Sequence, residues 1–322
     1  MKKVYNVDLY DLIKETGLKI VYRPIDVEKV RVSGIEINRP GLQLTGFYKN
    51  FFPGRIQVLG EQEKEYLLSL DSETRYKRIE KLFKFPIPAF IIANNIFSFP
   101  EIRELAEKYS VLVLKTELPT SKFISKIIGY LENVLAPTTI VHGVLLEIFG
   151  MGVIVTGKSG IGKSEVALEL IKRGHRLVAD DAVEIKKIDD MLRGTSPALI
   201  KHFMEIRGIG IIDITMLYGV GAVKTWEMID LLVELEDWKA DKEYDRLGID
   251  ENHIDILGIK TPRVTVPVRP GRNLAMIVEV AARNTRMKQF GHNAAEELDN
   301  KLREEIESRK RTYDWEVEDD LL

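Results

Sequence analysis

Residues 157–164 read Gly-Lys-Ser-Gly-Ile-Gly-Lys-Ser, a full match to G-x-x-x-x-G-K-[ST], and no other feature constrains the fold of this chain as much. The string acquires meaning from what flanks it. GVIVT (152–156) is an apolar run suited to a buried strand, and SEVALELIKRG (164–174) reads as a helix that Gly174 stops. A strand–loop–helix of this kind lets consecutive backbone N–H groups point into one hollow, where the helix N-terminus adds partial positive charge. Lys163 can then reach terminal phosphates, and the Ser164 hydroxyl can ligate Mg²⁺. Gly157, Lys158, Ser159, Gly160, Ile161, Gly162, Lys163 and Ser164 are therefore the candidate cradle for a polyphosphate.

A phosphate cradle needs a carboxylate nearby to do chemistry. Asp180 and Asp181 end the apolar run RLVAD directly after the loop's helix. If that strand pairs next to the loop's own strand, its end lies beside the cradle. A carboxylate there could hold a metal through water, or deprotonate an attacking hydroxyl; a solvated strand-end pair is the alternative.

The 322 residues suggest two domains at roughly 150 residues each. Residues 1–134 alternate apolar strand-like runs (KIVY, AFIIAN, VLVLKT) with charged helical segments, among them 61–83 and PEIRELAEKY. The stretch 30–59 reads as turn-rich strands. This predicts a small N-terminal α/β domain with a largely parallel sheet. Residues 135–322 carry the loop, further β-rich stretches and a charged amphipathic helix at 294–310, followed by an acidic tail expected to be loose.

Composition excludes several classes. There are no cysteines, hence no disulfide scaffold, thiolate zinc site or cysteine nucleophile. With 47 basic against 50 acidic residues and a net charge of -3, a nucleic-acid partner is not expected. No apolar run reaches the roughly 18–20 residues of a membrane span. Asp8, Asp11 and Glu15 fall where a signal peptide needs an apolar stretch, so a cytoplasmic protein is expected.

Four segments, GKSGIGKSE, KRGHRLVADD, MEIRGIGIIDI (204–214) and VPVRPGRN (266–273), together resemble the HPr kinase/phosphorylase family, in the family's order and across much of 138–290. The resemblance implies a C-terminal P-loop kinase domain related to phosphoenolpyruvate carboxykinase. It implies an enzyme that phosphorylates a serine of the phosphocarrier protein HPr with ATP or pyrophosphate. The same enzyme removes that group by phosphorolysis, with inorganic phosphate as acceptor and pyrophosphate as product. A dependence on Mg²⁺ or another divalent cation, a homohexamer and a role in carbon catabolite repression are implied with it. Matched residue by residue, the catalytic set is His142, Lys163, Asp181 and Arg246, with Ser164 and Glu205 as metal ligands. Asp181 matches the proton acceptor of the forward reaction and the donor of the reverse. Residues 204–213 match the segment used in both directions, and 267–272 the segment associated with dephosphorylation.

Residue chemistry alone leaves plainer readings beside these roles. His142, in the apolar run TTIVHGVLLEI, suits a hydrogen-bonded structural position. Glu205 could pair with Arg207, which could instead bind phosphate. Arg269 and Arg272 flank Pro270 and Gly271 in a turn that suits bidentate phosphate binding, with solvated surface charge as the alternative. Arg246 could pair with Asp245 or Asp250, and His175 is expected to cap a helix or lie at the surface. Two other functions fit the same loop: a small-molecule or carboxykinase-like kinase, and a nucleotide-gated regulatory module.

Overall fold

The structure is a computed structural model describing residues 6–95, 99–239, 241–242, 244 and 252–319, with side chains as far as residue 307. It divides into two units, Met1–Ala136 and Pro137–Leu322.

The first unit opens with β1 (Val7–Asp8), α1 (Leu9–Thr16), β2 (Lys19–Tyr22), β3 (Arg31–Val32) and β4 (Ile37–Asn38). It continues through α2 (Gly41–Thr45), β5 (Ile56–Leu59), α3 (Glu61–Leu68), α4 (Ser72–Phe83), β6 (Phe90–Ile92), α5 (Pro100–Tyr109), β7 (Val113–Lys115) and α6 (Thr120–Leu135). The main sheet has the order β2-β7-β6-β5-β4; β4 through β7 are parallel and β2 is antiparallel. Its apolar strands are covered on both faces. Leu12, Phe123 and Ile127 from α1 and α6 pack on one side, and Ile79, Leu82, Ile102 and Leu105 from α4 and α5 on the other.

Two stretches differ from the sequence expectation. The charged segment 61–83 is two helices, because the Asp71 carboxylate accepts a hydrogen bond from the Thr74 N–H at 2.9 Å and caps a new start. The turn-rich stretch 30–59 contains the short helix α2 as well as strands.

The second unit begins with β8 (Thr138–His142), β9 (Val144–Ile148), β10 (Met151–Gly157), α7 (Lys163–Lys172), β11 (Arg176–Ala179), β12 (Ala182–Ile188) and β13 (Met191–Thr195). There follow β14 (Phe203–Ile206), β15 (Gly210–Asp213), α8 (Ile214–Tyr218), β16 (Trp226–Asp237), β17 (His253–Ile256), β18 (Ile259–Val268), α9 (Leu274–Gln289) and α10 (Ala294–Asp319). The large sheet runs β11-β9-β10-β16-β13-β12-β8. Its spine is the 12-residue β16. One side of β16 is parallel to β10; the other pairs first with β13 and then, in parallel, with β18.

Strand alternation distributes side chains between two cores. Val144, Leu146, Val153 and Val155 meet α7 and α9, while Leu145 and Ile154 meet Val183, Ile185 and Leu192 of the β12–β13 layer. The backbone of α10 stays helical to Asp319, past residue 310 and into the acidic tail, and the sequence from Ala294 onward holds neither glycine nor proline to stop it. No helix among the described residues is long and apolar enough to cross a membrane.

The β10–β16 seam is close enough to exclude any side chain at Gly152, where a Cβ would sit 1.7 Å from the Met228 carbonyl oxygen. Backbone cannot yield there as a flexible side chain would. Gly152→Ala is expected to destabilise the second unit by about 3 kcal/mol. Calorimetric melting should show the loss as a lowered Tm, and an unchanged Tm would contradict this seam.

Candidate active site

Because β10, β16 and β18 are parallel neighbours, their C-terminal ends, Gly157, Asp237 and Val268, share one sheet edge. The glycine-rich loop 157–164 occupies the first of these ends. Gly157 and Gly160 have φ of 143° and 81°. A Cβ at Gly157 would come within 2.6 Å of the Leu235 carbonyl oxygen, and one at Gly160 equally close to Arg207 Nη1. The Ile161 side chain is buried among α7 and α9, so it anchors the loop rather than facing the hollow. Lys163 Nζ donates to the carbonyl oxygens of Gly157 and Lys158, at 3.1 and 3.2 Å, and thus lies folded over the loop. Lys158 forms an ion pair with Asp237 at the end of β16.

In front of the loop is a hollow lined by Ser159, Lys163 and Ser164 of the loop together with Asp180, Asp181, Glu205 and Arg207. The two aspartates occupy different environments. Asp180 is buried; its Oδ1 accepts from Ser164 Oγ at 3.2 Å and its Oδ2 from the Glu205 backbone N–H at 3.1 Å. Burial pushes its carboxyl above the ordinary aspartate value, against the pull of those two donors. It fastens β14 to the start of α7 and so sets Glu205 beside the loop. Asp181 is exposed, with φ 64°, in a turn closed by Ala182 N–H donating to the Asp180 carbonyl at 2.8 Å. Aspartate tolerates this left-handed conformation better than most side chains. The Asp181 carbonyl also accepts from the Gly143 N–H at 3.0 Å.

The route by which this pair reaches the hollow differs from the simplest expectation. β11 pairs with β9 and not with β10, because the β9–β10 hairpin fills the edge beside the loop strand. That hairpin turns at Phe149 and Gly150, both with positive φ (52° and 80°), as tight two-residue hairpins require.

The other residues singled out by sequence divide into two groups. Glu205 and Arg207 border the hollow, and Arg207 Nη2 donates to Ser159 Oγ at 2.9 Å. His142 pairs across the strands with Ala182, one residue from Asp181, but is not among the hollow's walls. Arg269 and Arg272 follow β18 at the same sheet edge and are likewise not part of those walls. Arg246 lies outside the described residues. His175 is buried, neither a cap nor a surface residue by its side chain: Nε2 meets Glu279 Oε1 at 3.0 Å, and the ring stands edge-on to Phe149.

Sequence reasoning missed Asp237 and Trp238, which connect the loop to the turn after β18. The only local signal is their position at the end of the apolar run WEMIDLLVELEDW.

A two-unit α/β protein with a glycine-rich strand–loop–helix, one lysine folded over the loop and carboxylates lining the same hollow has the architecture of the class built to grip phosphoryl groups. Within that class the chain belongs to the HPr serine kinase family. The model of the HPr Serine kinase N terminus matches residues 7–131, and that of the HPr Serine kinase C-terminal domain matches residues 133–302. The HPr kinase/phosphorylase of Caldanaerobacter subterraneus subsp. tengcongensis is 48% identical over 301 residues, covering 93% of this chain and 98% of its own. That of Geobacillus kaustophilus is 45% identical over 318 residues, covering 98% and 100%. The solved structure of the Hpr(Ser) kinase/phosphatase from Coxiella burnetii has 37% identity and a TM-score of 0.46, covering 50% of this chain and 98% of its own.

Proposed function

We propose that the chain phosphorylates a serine of HPr, using ATP or pyrophosphate, and reverses that step by phosphorolysis with inorganic phosphate. The observation that supports this reading is that Lys163 and Asp181 both line one hollow in front of the loop. Backbone amides, Lys163 and the N-terminus of α7 hold two adjacent phosphates, which are presented alike by the β,γ end of ATP and by pyrophosphate. Asp181 takes the serine proton as the phosphoryl group transfers and returns it when serine leaves. Inorganic phosphate held where the β-phosphate belongs then attacks phosphoserine along the same line, so one site serves both directions.

The oxygen donors present suit Mg²⁺. Asp180 holds Ser164 Oγ and the backbone N–H of Glu205, so the Ser164 hydroxyl and Glu205 border the same hollow, and Mg²⁺ takes few protein oxygens, completing its shell with water and phosphate. Once bound, the cation would neutralise the negative charge gathered on the transferring phosphoryl group. His142 is assigned to the neighbourhood of the transferred group, Arg207 to phosphate, and Arg246 to the catalytic set. Assembly as a homohexamer and control of sugar metabolism belong to the same reading.

Incubation with purified HPr tests it directly. ATP, and separately pyrophosphate, should place one phosphoryl group on an HPr serine, and added inorganic phosphate should remove it with release of pyrophosphate. Transfer only to a small molecule would instead mark a carboxykinase-like enzyme, and nucleotide binding without turnover a regulatory module.

A further inference from the structure

The end of β16 presents two adjacent side chains to two different loops. Asp237 takes Lys158 of the phosphate-binding loop, and Trp238 takes Arg269 of the turn after β18. The Arg269 guanidinium carbon lies 3.3 Å from the centroid of the Trp238 ring. Tyr244 stacks on the same indole, at 4.8 Å between centroids and 22° between planes. Two groups so near the ring cannot share one face, so the indole is clamped between them. Tyr244 is itself fastened: Oη donates to the Asp237 carbonyl at 3.4 Å and accepts from the Lys239 N–H at 3.1 Å. On the other side the turn is braced by Arg272, whose Nη1 donates to the Pro267 carbonyl at 3.1 Å.

Among the described residues no carboxylate pairs with Arg269, although its guanidinium is exposed. An arginine that packs by its face leaves its N–H donors, which lie in the plane, available at the edge. Such a group, cationic, packed against an indole and with no carboxylate partner among the described residues, fits the oxygens of a phosphate-type anion.

We propose that Trp238 is a positioning residue that holds Arg269 flat as a seat for a phosphoryl oxyanion, at the sheet edge shared with the phosphate-binding loop. The proposal rests on the phosphorolysis reading above. The anion has two possible sources, inorganic phosphate and the phosphoseryl group of HPr, and steady-state kinetics separates them by varying each at saturation of the other. Trp238→Leu should raise one of the two KM values five- to tenfold, the scale of a partly exposed cation–π contact. The kcat of phosphorolysis should remain within about twofold, and Trp238→Phe, which restores an aromatic face, should recover most of the loss. General damage to the fold would lower kcat as well and would not be rescued by phenylalanine.

Unchanged KM values for both substrates in folded Trp238→Leu overturn the proposal, as does failure of phenylalanine to restore them. Should Trp238→Leu not fold, Arg269→Lys, which keeps the charge and loses the flat face, is expected to raise the same KM, and no rise overturns the proposal. Should the wild-type chain fail to act on HPr, the functional reading falls by itself. Binding of inorganic phosphate, followed by calorimetry, then decides the seat: Trp238→Leu should weaken it about fivefold, and equal affinities overturn it.

Discussion

Asp181→Asn should lower HPr phosphorylation and phosphorolysis alike by about 10²- to 10⁴-fold, the range for loss of a positioned acid–base group. Asparagine has nearly the same size, and it tolerates the left-handed backbone that residue 181 adopts at φ 64°. The turn between β11 and β12 should therefore survive, with Tm close to wild type. What asparagine lacks is the ability to accept the serine proton. For the pyrophosphate-driven pair of reactions the loss of kcat/KM must be the same in both directions, because a substitution in the enzyme cannot move the equilibrium between substrates and products. Rates in both directions near wild type would remove Asp181 from the proton path. Substitution of Asp180 would not be an equivalent experiment. That carboxylate is buried and holds both Ser164 and the backbone of Glu205, so its loss would disturb the geometry of the loop and of β14 together.

The parts of this site that were legible in sequence are those whose geometry is local. Strand, glycine turn and helix follow one another over 152–172, and Gly157 and Gly160 adopt the positive φ that their places in the loop demand. The apolar runs at 89–94 and 111–116 become buried parallel strands because helices cover both faces. What sequence could not reveal depends on contacts between distant segments. Asp180 reaches Glu205 across 25 positions and Arg207 reaches Ser159 across 48, and neither bond leaves a periodic trace. The insertion of β9 between β10 and β11 follows from a hairpin turn at Phe149 and Gly150 whose register is set by pairing. Nor does anything local mark Trp238 as the platform for Arg269, since the two come together only because β16 and β18 are neighbours. Motif resemblance supplied roles for His142 and Arg246 that neither residue's own chemistry would have assigned.

Lys163→Ala tests the loop's own contribution to the hollow. In the structure Nζ rests on two loop carbonyls, at 3.1 and 3.2 Å. Removing it takes from the loop the charged donor on its own helix and leaves the backbone amides, the end of α7 and Arg207 to hold two phosphates. A hydrogen bond to a charged group is worth about 1.5–3 kcal/mol, so ATP and pyrophosphate affinities should fall by roughly 10- to 100-fold. The transition state carries more charge on the transferring oxygens than the bound substrate, and kcat should fall in addition, by about 10²- to 10³-fold. Alanine suits the first turn of a helix, so α7 should still form and Tm should change little. Calorimetric titration with each donor, together with initial rates on HPr, separates the two losses. Retention of wild-type affinity for both donors would mean that the phosphates lie elsewhere. A loss of affinity without a further loss of kcat would make Lys163 a binding group that contributes equally before and during transfer.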